Sequence, residues 1–566
     1  MSLGRDNTAR VLENFELTSL IFQCLKETTL AEANIEITPD KVPAFPTSWT
    51  APWARLALVN RAFFNASTGV LWEHLSTFEP ALRLLNASVT DSLGESWCPE
   101  SNLNAISSKE WDRFKLYSSK TRSLAFKTPI YPIGLPWILQ LTTSKQRPDP
   151  LFPALSRLFV NSSDDMSLFV TFSVAHLVKI VIVDFENPVV SESTLAITSY
   201  MSQRECFTKC LRLEQPCSPL IISNVSKITS LTRLDLMLNG LDDVQLWRLD
   251  NLASLEKFKL TIQHPEDYHH PPAFSTVIQA LTVRKTSFQK LKELYIKASG
   301  VEHLQVAASI LPSGLEILIL GMAPGTPGEQ ALLMPLAATT YAKRNPSLKI
   351  LVVGAPSAFV IPHAAIEPAR GDPKYANYEA FLSSLGTLTS LENLRINYIP
   401  FFDVDINHRL GEVACRLPRL KNLFLYPRPV SSRAPDQLAT FGLPVLQDLA
   451  KSCRHLATIE LVVDYSDIPP IPSNSPPLDT LKRIVFRDTV HLPGLQKPTS
   501  TTKLELVQYL HCLFPQLETL AEGWKRDSEP WQYWTEIEQL LAFSRNLRSQ
   551  LVQDLANTAN TPQANS

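Results

Sequence analysis

The chain has 566 residues, 45% of them hydrophobic and 19% charged, with a formal net charge of −2. That balance suits a folded protein and excludes a general basic footprint for nucleic acid or an anionic membrane surface, so any charge effect is local. Only 17 Gly stand against 43 Pro, which speaks against glycine-rich phosphate loops and for rigid connections between elements. The longest apolar run, residues 350–366, is broken by Gly354, Pro356, Pro362 and His363, so no membrane span is expected. The polar start carries no cleavage-site pattern, and the eight cysteines include no C-x-x-C pair. Reduced thiols in the cytoplasm, the nucleus or both follow from this.

In chain order, Leu17, Leu20, Ile21, Cys24 and Leu25 share one face at helical spacing. Pro39, Pro43, Pro46 and Pro52 then predict an insertion near 27–53 without a continuous helix. Helical periodicity resumes at residues 55–64 and closes at 69–75. Residues 81–107 are Ser- and Asn-rich and read as a linker. A helix carrying Trp111, Phe114 and Tyr117 then runs into a strand at Leu124 to Phe126. Beyond it one apolar triplet recurs at i, i+3, i+5, as in Leu231-Leu234-Leu236, Leu255-Phe258-Leu260, Leu291-Leu294-Ile296, Leu315-Leu318-Leu320 and Leu348-Leu351-Val353. It returns from Leu391, Leu420, Leu456 and Leu481, and earlier from Leu155 and Leu177. Between Ile182 and Ile228 the spacing leaves room for an extra helix or a loop. Trp531, Trp534, Ile537, Leu540, Leu541 and Leu547 line one side of a C-terminal helix over 526–550, expected to seal the last strand, and 556–566 reads as a disordered tail.

Residues 231–241 read L-x-x-L-x-L-x-x-N-x-L, and an apolar residue three or four places ahead of most triplets, such as Ile228 or Leu388, marks a helix end entering a strand. The pattern resembles the leucine-rich repeat, with long insertions in several units. Such a strand turns Leu234 and Leu236 inward and their neighbours outward. Asn239 is expected to hold the turn that leaves the strand. The outward column is locally basic at Arg233, Lys257 and Lys259, passes Tyr295, turns apolar at Ile317, Ile319, Ile350 and Val352, and reaches Arg395. An apolar stretch on a solvated face predicts a partner, so these nine residues are the candidate target-binding face, unless the insertions after Leu320 and Val353 fold over them.

The segment Asn14-Phe15-Glu16-Leu17 with Leu20, Ile21, Phe22 and Leu25, then Leu58-Val59-Asn60-Arg61-Ala62-Phe63, then Leu71-Trp72-Glu73 with Leu75, resembles the F-box, in particular that of fungal F-box proteins with leucine-rich repeats. The resemblance covers residues 11–80. It implies docking on a Skp-type adaptor, and through it a cullin-RING ligase, by Leu17, Leu20, Ile21, Val59, Phe63, Leu71 and Trp72. The repeats behind it would hold an unknown protein target.

The expected fold is α/β: an irregular leucine-rich-repeat solenoid over 108–525 preceded by a small all-α F-box-like module. The expected function is substrate recognition in a Skp-cullin-F-box type ubiquitin ligase; the alternative is a leucine-rich scaffold without ligase contact. No catalytic, metal-binding or cofactor-binding residue is expected, and neither nucleic acid nor membrane is an expected partner. Residues 321–328 are turn-rich but no Gly-Lys-Ser/Thr follows, Asp403 to Asn407 lacks the glycine and glutamate of a calcium loop, and His269-His270, followed by Pro271 and Pro272, has no carboxylate or cysteine pattern of a metal site and reads as an exposed turn.

Overall fold

The computed structural model describes residues 15–32, 47–85, 106–126, 146–160, 179–182, 190–203, 207–239, 248–263, 288–298, 304, 314–322, 338–354, 380–399, 412–413, 416–427, 441–461, 463–465, 467–470, 477–486, 500–520 and 529–559. Packing divides the chain into two units, Met1–Lys257 and Phe258–Ser566. The segments 264–287, 323–337, 355–379 and 401–411 lie outside the described residues, and with them the His269-His270 pair, most of the 321–328 turn, the Asp403 loop and the bulk of the insertions after Leu320 and Val353.

The first unit opens with helices α1 (Phe15–Glu32), α2 (Thr47–Leu56) and α3 (Arg61–Glu73), and α3 runs directly into strand β1 (His74–Leu75). Helix α2 lies within the segment read as an insertion and carries Pro52 inside it, so the proline-rich stretch is partly helical. Helices α4 (Glu79–Arg83) and α5 (Ser108–Ser118) follow, with β2 (Ser123–Phe126), β3 (Arg157–Val160), β4 (Lys179–Ile182), α6 (Val190–Gln203), β5 (Cys210–Pro216), α7 (Pro219–Val225) and β6 (Arg233–Asn239). Helix α5 starts in a capping box: the Ser107 hydroxyl accepts from the Glu110 amide while the Glu110 carboxylate accepts from the Ser107 amide. The six strands pair in parallel in chain order, His74 against Ser123, Ser123 against Arg157, Arg157 against Lys179, Lys179 against Cys210, and Cys210 against Arg233.

In the second unit, β7 (Lys257–Gln263, all but its first residue in this unit), β8 (Glu293–Ala298), β9 (Ile317–Met322), β10 (Ile350–Val353), β11 (Asn393–Ile399) and β12 (Asn422–Pro427) follow one another. After them come β13 (Phe441–Gly442), α8 (Pro444–Ser452), β14 (Thr458–Leu461), β15 (Val463–Asp464), β16 (Arg483–Phe486), α9 (Ser500–Leu513) and α10 (Glu529–Ala559). Strand β14 pairs with β12 and β16, and β13 with β15 in a separate small sheet. The register is regular: Glu293, Ile317, Ile350, Asn393, Asn422, Thr458 and Arg483 stand in one row across the strands. Each repeat also reaches back to the one before it, the amides of Ile317, Ile350 and Asn393 donating to the carbonyls of Lys292, Glu316 and Lys349 at 2.9–3.0 Å.

Parallel strands in chain order, joined by connections long enough to carry helices, make each unit an α/β repeat stack. The apolar triplets build its interior: Leu231, Leu234 and Leu236, Leu315, Leu318 and Leu320, and Leu391, Leu394 and Ile396 are all buried. Two threonines do the same work where the pattern shows no leucine. Thr121 and Thr208 are buried ahead of Leu124 and Leu211, and Thr208 belongs to the repeat of β5, which the sequence leaves as helix or loop. Asn239 is exposed at the end of β6, and the turn it was expected to hold lies outside the described residues. A different asparagine holds repeats together. Asn345 is buried, its Oδ1 accepts from the amides of Gly314 and Leu315 at 2.8 and 2.9 Å, and its Nδ2 donates to the Tyr341 carbonyl.

At the C-terminal end, α10 buries Trp534 against the rings of Phe486 on β16 and Tyr465 at 4.7 and 5.4 Å. The helix continues to Ala559, and its residues from Asn546 to Ala556 are exposed.

Candidate functional site

The helical module has its own small core. Phe22 from α1, Trp53 from α2 and Ala66 and Val70 from α3 are buried, with Leu56, Phe63 and Leu71 packed against them. The Phe22 ring lies 5.5 Å from Trp53 and meets Phe63 edge-on at 5.2 Å. Asn60 sets the start of α3, its side chain accepting from the Phe63 amide at 2.8 Å as an N-cap.

What this core leaves outside is apolar. Leu17, Leu20, Ile21 and Leu25 of α1 are exposed, as are Leu58 and Val59 in the turn between α2 and α3; Leu58 keeps 85% of its surface, Leu20 62% and Val59 61%. Of the seven residues expected to dock an adaptor, Leu17, Leu20, Ile21 and Val59 thus face solvent. Phe63 and Leu71 pack on the module's core, and Trp72 turns the other way, its ring 4.8 Å from Tyr117 of α5. Leu25 and Leu58 join the exposed set; both stand in the F-box-like pattern, which gave them no role of their own.

Polar contacts brace the module and tie it to the first repeat. Lys26 of α1 is buried, with 5% of its side chain exposed, and donates to the Glu73 carboxylate at 2.6 Å. The Glu73 carbonyl accepts from the Arg122 amide at 2.9 Å, and His74 Nδ1 shares a 2.7 Å hydrogen bond with the Ser123 hydroxyl. Burial works to raise the Glu73 pKa, but the Lys26 hydrogen bond and charge, with His74 and Arg122 behind them, outweigh it and hold the carboxyl below its usual range. For His74, burial dominates over the pull of Glu73, and its pKa falls to about 4. The ring is therefore neutral at physiological pH. From the turn after α5, Lys120 Nζ donates at 2.9 Å to both the Asn65 carbonyl and the Thr68 hydroxyl of α3.

The outward face of the strands forms the second candidate surface. In the first unit its charges are largely paired. Arg233 bridges Asp235 on its own strand at 3.3 Å, Arg212 bonds Glu214 and lies 3.7 Å from Asp235, and Lys179 is buried over the Phe159 ring at 5.7 Å. Arg233 is thus half of an ion pair rather than an open cation. Lys257 is exposed.

In the second unit Ile317, Ile319, Ile350 and Val352 are half-buried and lie side by side, Ile317 against Ile350 and Ile319 against Val352. Tyr295 is the next neighbour of Ile319, and Arg395 that of Val352. Lys259 Nζ sits over the Tyr295 ring at 5.3 Å. Lys297 follows on β8 beside Gly321, whose missing Cβ would lie 3.5 Å from the Gly354 carbonyl. Gly354 has φ 137°, a conformation that favours glycine. Burial and the charge of Lys259 lower the Lys297 pKa, and burial raises that of Tyr295.

Among the described residues no group of three or more His, Cys, Asp or Glu could hold a metal ion, and no helix is long and apolar enough to cross a membrane. No protein-family model matches the sequence, and no curated protein matches it. Among solved structures, the crystal structure of an internalin from Listeria monocytogenes aligns with 59% of this chain and 81% of its own at 14% sequence identity and a TM-score of 0.29. The α/β repeat architecture therefore rests on the strand register and the buried triplets of this chain itself.

Proposed function

We propose that the chain is a non-catalytic substrate-recognition subunit of a Skp-cullin-F-box type ubiquitin ligase, the helical module docking on a Skp-type adaptor and the repeats holding a protein target. The observation that carries this reading is the apolar face of the module. A small helical domain with a formed core and a fixed anchor on the first repeat still leaves Leu17, Leu20, Ile21, Leu25, Leu58 and Val59 in solvent. An exposed apolar patch of that kind marks a protein-binding surface, at about 25 cal/mol for each Å² it would bury. The order of the pattern along the chain, which resembles the F-box, supports a Skp-type adaptor as that partner.

The test is co-expression of the full chain with a Skp-type adaptor, comparing the parent with a Leu20→Asp, Val59→Asp variant. Both side chains are exposed, so the variant folds, and it is expected to lose adaptor at least about tenfold. Equal recovery of adaptor, or none with the parent, favours the scaffold without ligase contact.

A further inference from the structure

The described part of the repeat face in the second unit combines three features. Lys259 Nζ lies over the Tyr295 ring at 5.3 Å, and Lys297 stands two residues beyond Tyr295 on the same side of β8, so that the charge of Lys259 reaches it; among the described residues no acidic group offsets that repulsion at Lys297. Tyr295 stands beside Lys259, its ring already taken as a cation platform and its hydroxyl half-buried. Next to them the four aliphatic side chains of Ile317, Ile319, Ile350 and Val352 stand in two adjacent pairs. Two cations held together at a partly desolvated place favour an anion, and four aliphatics in a row favour an apolar side chain. Glu293, an acid on the same side of β8, stands two residues before Tyr295 and is not among the groups that shift the Lys297 pKa.

Spacing connects the two. Neighbouring strands lie about 4.8 Å apart, so the step from β8 to the middle of the β9–β10 pair is about 7 Å. An extended peptide rises about 3.3 Å per residue and turns alternate side chains to one side, so residues i and i+2 are separated by nearly the same distance and face the same way. We propose that this face binds an extended segment of the target carrying an anionic side chain at i, seated between Lys259 and Lys297, and an aliphatic side chain at i+2, seated on Ile317, Ile319, Ile350 and Val352. The inference deepens the target-binding half of the proposed function and rests on it. The anion has two possible sources, a carboxylate or a phosphorylated hydroxyl, and the chemistry they share is what the lysines select.

The test uses the full chain with its lysines reductively 13C-methylated, which keeps their charge, and short blocked peptides as probes at up to about 5 mM, where a millimolar Kd is readable. The reference peptide is Gly-Gly-Asp-Gly-Leu-Gly-Gly. Parallel arms carry phosphoserine or asparagine for the aspartate, serine for the leucine, or the aspartate and leucine side by side. The expected result is a saturable shift of the Lys259 and Lys297 signals, assigned with Lys259→Arg and Lys297→Arg, for the aspartate or phosphoserine peptide or both. The asparagine, serine and adjacent-spacing peptides are expected to shift them at least about tenfold less at equal concentration. The stronger of the two anionic arms identifies the source. No shift at these two lysines with either anionic peptide, or equal shifts with the asparagine peptide, overturns the proposal. Because the probes vary and the protein does not, a misfolded variant cannot mimic that outcome. Adaptor recovery is measured on the other surface, so failure here with the adaptor still bound removes this inference and leaves the adaptor reading in place.

Discussion

Replacing Glu73 by alanine tests how the helical module is held. The change leaves the Lys26 ammonium, 5% exposed, without the carboxylate that accepts from it at 2.6 Å. Breaking one side of a buried pair costs about 3–5 kcal/mol, and since the Glu73 side chain keeps 21% of its surface the lower figure applies, about 3 kcal/mol. Replacing both groups by apolar ones of similar size, Lys26→Met with Glu73→Leu, removes the orphaned charge and is expected to fall within about 1 kcal/mol of the parent. A chain of two units does not melt in one step, so the readout is local: hydrogen exchange of residues 15–32 and 61–73 by mass spectrometry in the full chain. At tenfold per 1.4 kcal/mol, Glu73→Ala should speed opening about a hundredfold. Exchange within about threefold of the parent, or a double variant as labile as the single, would refute the claim that this pair anchors α1 to α3.

Acid should loosen the same junction. The Glu73 pKa is depressed, so its contribution is complete above the ordinary carboxylate range and lost as pH falls through the folded value; that of His74 falls from 6.5 to about 4, so its contribution is complete above 6.5 and lost across that interval. Exchange of residues 61–75, corrected for intrinsic rate, should rise as pH drops from 6.5 towards 4, and a flat profile would contradict the burial of a neutral His74. On the repeats, Leu234→Asp should disrupt neighbouring strands by several kcal/mol, while Asp235→Ala should also cost about 1–3 kcal/mol, because Asp235 is buried beneath Arg212 and Arg233. A melting scan that finds Asp235→Ala neutral would mean that those pairs are not formed. Asn345→Leu orphans the buried amide of Leu315 and frees the part-buried one of Gly314, and should cost about 2 kcal/mol, read as faster exchange of residues 314–322 and 338–354.

The interior of the repeats was legible because burial there depends on parity alone: residues at i+3 and i+5 of each triplet share one side of a strand. Where a small polar residue fills the first position, as Thr208 does before β5, the apolar pattern falls silent although the geometry is unchanged. Strand β1 was hidden for another reason. It has two residues, too few for any period, and its place is set by the end of α3 and the pairing of His74 with Ser123. Outward parity told direction but not cover. Asp235, Glu460, Lys179 and Val485 all stand at outward positions and are buried; Asp235 is covered by Arg212 of the neighbouring strand and Arg233 of its own, and Lys179 folds over the Phe159 ring. In the module, amphipathic spacing picked out the face of α1 that stays exposed. It could not tell that Phe63 and Leu71 would be used inside, or that Trp72 would turn to Tyr117, since these follow from where α2 and α5 dock.

The central claim is that the exposed face of α1 and of the α2–α3 turn is an adaptor surface. Hydrogen exchange of the full chain with and without a saturating Skp-type adaptor measures this directly. The account predicts protection confined to residues 15–28 and 52–60, with the strands β2 to β16 unchanged. Protection on the strands instead, or none anywhere in the module at a concentration where the two proteins co-elute, would contradict it.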